Sequence, residues 1–168
     1  MLDAIIDAAF TLLLYVGLPA LFVFFLLKGA LIGKPLPTSV FLPGYVLAIG
    51  ADRTEAAVIV LVSSTGYVAG QLVVYSAARR GGRSAIESSP RVSIPDDRLD
   101  QVEELFDRYG GPAVFVTNFV PYLRGLIFVP AGIAKYPVLP LVVYAFASTL
   151  IYHVVIVVIA VGAVRAVF

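Results

Sequence analysis

A single arginine lies near the middle of an apolar stretch, residues 115–134. This residue, Arg124, carries a charge that costs roughly 3 kcal/mol or more at membrane depth, so it is expected to face a cavity or a partner. Pro121 and Pro130 lie on either side of it and remove backbone donors, which breaks a regular helix. Irregular backbone at that depth is tolerated only where protein or water covers it. The pattern therefore predicts a broken or re-entrant segment, residues 112–135, that lines a polar site.

Anion binding is the chemistry that such a site favours. The planar guanidinium group of arginine matches the oxygens of a phosphate, and the N-terminal ends of half-helices favour negative charge. We predict that four neutral polar side chains bind the phosphate together with Arg124: Asn118, Ser39, Thr38 and Gln71.

Catalysis and metal binding are not expected. The chain has no cysteine, and its acidic residues lie near the N-terminus, at positions 52 and 55, and in the loop 79–110. The single histidine, His153, is interpreted as a satisfied interhelical residue in preference to a proton carrier. We therefore predict no catalytic residue, no metal site and no cofactor, and we do not expect an enzyme.

Composition indicates that this site lies in a membrane. Sixty per cent of the residues are hydrophobic, 14% are charged, and the mean hydropathy is +0.97. A soluble chain of 168 residues could not bury so much apolar surface, so an all-α polytopic membrane protein is predicted. The net charge of +1 implies no nucleic-acid partner.

About three full transmembrane helices are predicted, over residues 4–27, 56–78 and 138–167. Gly17, followed by Leu18 and Pro19, predicts a kink in the first of them. In the second, small residues recur at a spacing that lets another helix approach closely. The residues assigned to helix packing are Gly66, Gly70 and Tyr75.

A proline-rich run over residues 35–50 is too short to cross as a straight helix, and we interpret it as a second re-entrant segment. The alternative is a proline-rich external loop packed on the surface. Its prolines alternate with large apolar residues, which favours the re-entrant interpretation. The predicted hairpin positions of the two segments are Pro35, Pro37, Pro43, Gly44, Pro121, Pro130 and Gly132.

Residues 79–110 form the hydrophilic loop, and six of the nine arginines lie within it. Short loops rich in basic residues stay in the cytoplasm, so this loop and the N-terminus are both predicted to be cytoplasmic. An amphipathic helix over 94–109 should lie on the membrane surface or dock under the bundle. The two broken segments would then enter a single membrane domain, residues 1–168, from opposite faces, as in inverted repeats.

Three groups of residues occur in a recognisable order. They are Pro35-x-Pro37 with Pro43 and Gly44; Gly66-x3-Gly70 with Tyr75 and Arg79; and Phe119-x-Pro121-x2-Arg124-x5-Pro130-Ala-Gly132. This set, over about residues 28–137, resembles the DedA family of VTT-domain membrane proteins. The resemblance implies two opposed re-entrant helices. It also implies the movement of undecaprenyl phosphate, or of phospholipids, between leaflets of the cell membrane.

Several charged positions of that family carry neutral residues in this chain, among them Ser39, Gln71 and Asn118. Proton coupling through the family's carboxylates is therefore not expected. The hypothesis is a flippase for a polyprenyl phosphate of undecaprenyl or dolichyl type. Its partners would be this lipid and the bilayer, and a homo-oligomer is compatible with the sequence. The alternatives are a nonspecific phospholipid scramblase and a structural subunit in which Arg124 pairs with backbone carbonyls, so that Arg124→Lys would keep full function.

Overall fold

The computed structural model describes residues 11–31, 38–87, 96–120 and 123–167. Within these ranges the chain is helical, with short turns and no β-strand. The predicted hairpin positions Pro35, Pro37 and Pro121 lie outside the described residues. Residues 11–16 are helical, and seven further helices follow in the described part of the chain: α1 (Leu18–Gly29), α2 (Thr38–Ala48), α3 (Arg53–Glu87), α4 (Asp96–Tyr109), α5 (Gly111–Thr117), α6 (Phe128–Ile133) and α7 (Val138–Val167).

The break before α1 lies at the predicted kink. Gly17 has a φ of 74°, a conformation that glycine adopts without steric cost, and it separates residues 11–16 from α1. Pro19 occupies the first turn of α1, where its missing N–H has no helical partner to lose. The kink predicted from these residues is therefore confirmed.

Among the described residues, two helices are long and apolar enough to cross a membrane. They are the 30-residue part of α3 from Arg53 to Gly82 and the 27 residues of α7 from Val138 to Val164. At about 1.5 Å per residue, each exceeds the ~30 Å hydrocarbon core. The start of α3 is fixed by a reciprocal capping pair: the Asp52 amide donates to Glu55 Oε2 at 2.9 Å, and the Glu55 amide donates to Asp52 Oδ1 at 2.8 Å.

Helices α1 and α3 cross with their backbones in contact. A Cβ atom added at Gly66 would lie 2.6 Å from the carbonyl oxygen of Phe22, and one added at Gly70 would overlap that of Leu26. Gly29 on α1 makes the reciprocal approach to the carbonyl of Tyr67. Any side chain larger than hydrogen would push the two helices apart, so the crossing depends on these glycines.

The amphipathic helix docks against the bundle. It is α4, Asp96–Tyr109, and its Val102 and Phe106 side chains are buried. The Phe106 ring meets the Tyr136 ring edge-on at 5.5 Å between centroids. Of the two predicted positions, membrane surface or underside of the bundle, the structure shows docking against α5 and α6.

The arginine-bearing stretch is a broken segment. α5 has seven residues and α6 has six, and turns fill the described residues between them. Pro130 and Gly132 are buried in α6, and a Cβ atom at Gly132 would lie 2.5 Å from the Tyr75 carbonyl oxygen on α3. The proline-rich α2 is also short, with Pro43 inside it and Gly44 next to it. Within its described residues, neither segment forms a membrane-length helix, which fits the prediction. Their re-entry into a bilayer stays a prediction.

Candidate functional site

The Arg124 side chain is held by one tyrosine from each of the two long helices. Its guanidinium carbon lies 4.1 Å from the ring centroid of Tyr67 on α3 and 4.2 Å from that of Tyr152 on α7. A guanidinium group over an aromatic face gains about 0.5–2 kcal/mol, more where water is excluded. The two rings therefore fix the plane of the cation before any ligand arrives.

A buried histidine supports the same guanidinium. Arg124 Nη2 lies 3.4 Å from His153 Nε2, and His153 Nδ1 lies 3.0 Å from Ser64 Oγ. Because a guanidinium can only donate, Nε2 must accept, so Nδ1 carries the proton and donates to Ser64 Oγ. The ring also packs edge-on against Phe25 at 5.1 Å. His153 is thus the satisfied interhelical histidine predicted from the sequence.

Two guanidinium nitrogens have no partner among the described residues. Arg124 Nε and Nη1 are buried and make no hydrogen bond within the described part of the chain. Buried charged donors without acceptors are costly, because desolvation is not repaid. Among the described residues no group of three His, Cys, Asp or Glu side chains could hold a metal ion. The arrangement suits an incoming anionic acceptor.

A hydrogen-bonded relay lies beside the arginine. Gln71 Nε2 donates to Asn118 Oδ1 at 3.0 Å, and Asn118 Nδ2 donates to Ser148 Oγ at 2.8 Å. Gly125, the residue after Arg124, has a φ of 86°, and a Cβ atom there would lie 3.9 Å from Gln71 Nε2. The turn that carries Arg124 therefore packs directly on the relay.

A second cation, Lys28 at the end of α1, stands just past the predicted span 4–27. Burial, and secondly the positive charge of Arg124, lower the pKa of this ammonium group. The two positive charges therefore repel one another. A bound anion would weaken that repulsion, which adds to the preference for a negatively charged ligand.

The structure treats the other predicted site residues differently. Ser39 is exposed at the start of α2. Within the described ranges it makes no hydrogen bond with Arg124. The Thr38 side chain lies outside the described part. Tyr75 belongs to another cluster: its hydroxyl donates to the Tyr136 carbonyl at 2.7 Å and accepts from Arg79 Nη1 at 2.6 Å.

Tyr67, Ser64 and Lys28 are members of the site that were not predicted from the sequence. A signal for two of them was present, because Ser64, Tyr67 and Gln71 recur at i, i+3 and i+7 and so share one face of α3. The sequence alone offers no such signal for Lys28, because its position relative to Arg124 depends on the crossing of α1 and α3 at their glycines.

These features define a helical membrane protein in which two long helices flank a broken, arginine-bearing segment. The VTT domain matches residues 18–162, which is most of the chain. The chain therefore belongs to the VTT-domain, or DedA, family, and the resemblance stated from the sequence is confirmed.

Several curated relatives are similar to this chain. The membrane protein YkoX of Bacillus subtilis, described as uncharacterized, is 39% identical over 68% of this chain and 52% of its own length. A protein of B. subtilis named undecaprenyl phosphate transporter A is 34% identical, over 60% of this chain and 50% of its own length. A Staphylococcus aureus protein of the same name is 25% identical over 82% and 69%. The chain spans about half the length of the first relatives, and no solved structure matches it.

Proposed function

We propose that this protein transports a polyprenyl phosphate between the leaflets of the cell membrane. One observation carries the proposal: a guanidinium fixed by Tyr67 and Tyr152 holds two buried donor nitrogens, Nε and Nη1, that have no hydrogen-bond partner among the described residues. The names of the two undecaprenyl phosphate transporters support the choice of substrate class. The carrier lipid, of undecaprenyl or dolichyl type, would be the partner of the site.

The charged phosphate group is the part of such a lipid that does not readily cross the hydrocarbon region of the bilayer. In this proposal it exchanges water for Arg124 Nε and Nη1, while its isoprenoid tail stays in the hydrocarbon region. Each charge-assisted hydrogen bond contributes about 1.5–3 kcal/mol, which offsets part of the desolvation of the headgroup. The positive charge of Lys28 adds attraction from the side of α1.

The orientation follows the predicted topology. We place the N-terminus and the loop 79–108 in the cytoplasm, and segments 35–50 and 112–135 enter from opposite faces. The short, proline-containing helices α2 and α6 suit this arrangement, because neither could cross a bilayer alone. Headgroups from either leaflet could then reach a site near the midplane.

The test is headgroup translocation in liposomes that contain the purified full chain. A fluorescent polyprenyl phosphate and a fluorescent phospholipid are compared side by side, with and without a pH gradient. The variant is Arg124→Ala, and Arg80→Ala is the matched control because Arg80 is an exposed arginine. We expect the polyprenyl phosphate to move, Arg124→Ala to abolish the movement, and Arg80→Ala to leave it unchanged.

Other outcomes separate the alternatives. Equal movement of both lipids would identify a nonspecific scramblase, and dependence on the pH gradient would overturn the expectation of no proton coupling. If a well-folded wild type moved neither lipid, the transport proposal would fail for these substrates. Movement that survives in Arg124→Ala would show that the guanidinium is not the headgroup site.

A further inference from the structure

The direction of the relay determines which atom Gln71 offers to a ligand. Ser148 Oγ lies 2.7 Å from the Tyr144 carbonyl oxygen and 3.1 Å from that of Ala145. A carbonyl can only accept, so the single hydroxyl proton of Ser148 points to the backbone. The Ser148 oxygen must then accept from Asn118.

The rest of the relay follows from that step. Asn118 turns its Nδ2 toward Ser148, at 2.8 Å, and therefore turns its Oδ1 toward Gln71. Gln71 must donate to this oxygen through Nε2, at 3.0 Å. Its remaining polar atom, Oε1, is an acceptor whose orientation is set by three hydrogen bonds and not by free rotation.

Gln71 Oε1 has no hydrogen-bond donor among the described residues. The side chain is fully buried, and Oε1 makes no hydrogen bond in the part of the chain that the structure describes. Arg124 stands close by, since Gly125 packs on Gln71 and the Tyr67 ring covers the guanidinium one turn away on the same face of α3. The site thus offers unused donors on Arg124 and an unused acceptor on Gln71.

We propose that Gln71 makes this site selective for a phosphate monoester that carries a proton. The Arg124 nitrogens would donate to the anionic oxygens, and Gln71 Oε1 would accept from the P–OH group. A phosphodiester headgroup has no P–OH group and leaves Oε1 unpaired. The second pKa of a phosphate monoester is about 6, so the protonated form is well populated in mildly acidic buffer. This inference rests on the proposed function and names the headgroup that it accepts.

The experiment compares two ligands that differ by one donor. Farnesyl phosphate and its monomethyl ester are titrated, at pH 6, into the purified full chain in detergent, and binding is measured by calorimetry. We expect the wild type to bind the monoester at least about tenfold more tightly, since a buried acceptor left unpaired is costly. Gln71→Leu should bind both ligands alike. Ser63→Ala is the control, because that buried hydroxyl donates only to the Ile59 carbonyl of its own helix.

A second variant covers the case in which Gln71→Leu does not fold. Ser148→Ala removes the anchor that orients the relay, so the preference for the monoester should shrink while Arg124 still binds phosphate. A preference that persists in folded Gln71→Leu would mean that charge alone is recognised, and it would overturn the inference. So would equal binding of both ligands by the wild type. Binding of neither ligand, or binding unchanged in Arg124→Ala, would instead refute the proposed function.

Discussion

Replacing Arg124 with lysine keeps the charge and removes the geometry. The guanidinium carbon lies 4.1 and 4.2 Å from two ring centroids. Two of its donor nitrogens, Nε and Nη1, have no partner among the described residues. A lysine ammonium is a single nitrogen and cannot present a planar fork to a phosphate. One charge-assisted hydrogen bond to the ligand is lost, which is worth about 1.5–3 kcal/mol and corresponds to a roughly tenfold to hundredfold weaker affinity.

Calorimetric titration of farnesyl phosphate into Arg124→Lys measures this loss directly. Arg80→Lys, at an exposed arginine, is the matched control and should bind like the wild type. Arg124→Lys also loses the contact with one tyrosine ring, which contributes about 0.5–2 kcal/mol. Because both rings contact the arginine in the free protein, this loss should lower the unfolding temperature. An unchanged dissociation constant in Arg124→Lys would refute the assignment of the guanidinium as a phosphate fork.

Three further substitutions test the surroundings of the site. Gly70→Ala adds a Cβ atom that overlaps the backbone of α1, so thermal unfolding in detergent should show a loss of about 1–3 kcal/mol or more of stability. The control is Gly162→Ala, where the space is open and the change should be neutral. Equal effects of the two substitutions would contradict the close crossing of α1 and α3. Lys28→Glu places a carboxylate, which repels an anion, near the guanidinium and should weaken farnesyl phosphate binding more than Lys28→Gln does. Equal losses of affinity in the two variants would contradict an electrostatic role for Lys28. Ser64→Ala leaves Nδ1 of His153 unpaired and should destabilise the fold by about 1–3 kcal/mol, and an unchanged unfolding midpoint would contradict the hydrogen bond between Ser64 and His153.

The helices were predictable because their signals are local. Long apolar runs predicted the spans that appear as α3 and α7, and the Gly17-Leu18-Pro19 sequence predicted the kink before α1. The amphipathic pattern of 94–109 predicted α4, but periodicity could not decide which surface would cover its apolar face. That choice depends on tertiary contacts such as the one between Phe106 and Tyr136.

The site was predictable only in part. Arg124 was predicted as a site residue because it is a charge in an apolar stretch. Two of the predicted polar residues, Gln71 and Asn118, are joined by a hydrogen bond. The partner rings could not be foreseen, because a tyrosine in an apolar helix is compatible with many neighbours. Tyr67 and Tyr152 are 85 positions apart (152 − 67) and meet at one guanidinium only because α3 and α7 flank the broken segment.

The interpretation of Arg124 as a purely structural residue requires hydrogen bonds to backbone carbonyls, and the described residues provide none. In that interpretation the guanidinium pairs with backbone carbonyls at a helix end, yet within the described residues its only hydrogen-bond contact is the 3.4 Å approach of Nη2 to His153. The tyrosine rings and the Gly125 turn fix the side chain in place. Donors that are fixed and unpaired before a ligand arrives lose little conformational entropy on binding it. The arrangement is therefore better suited to receiving an anion than to stabilising the fold.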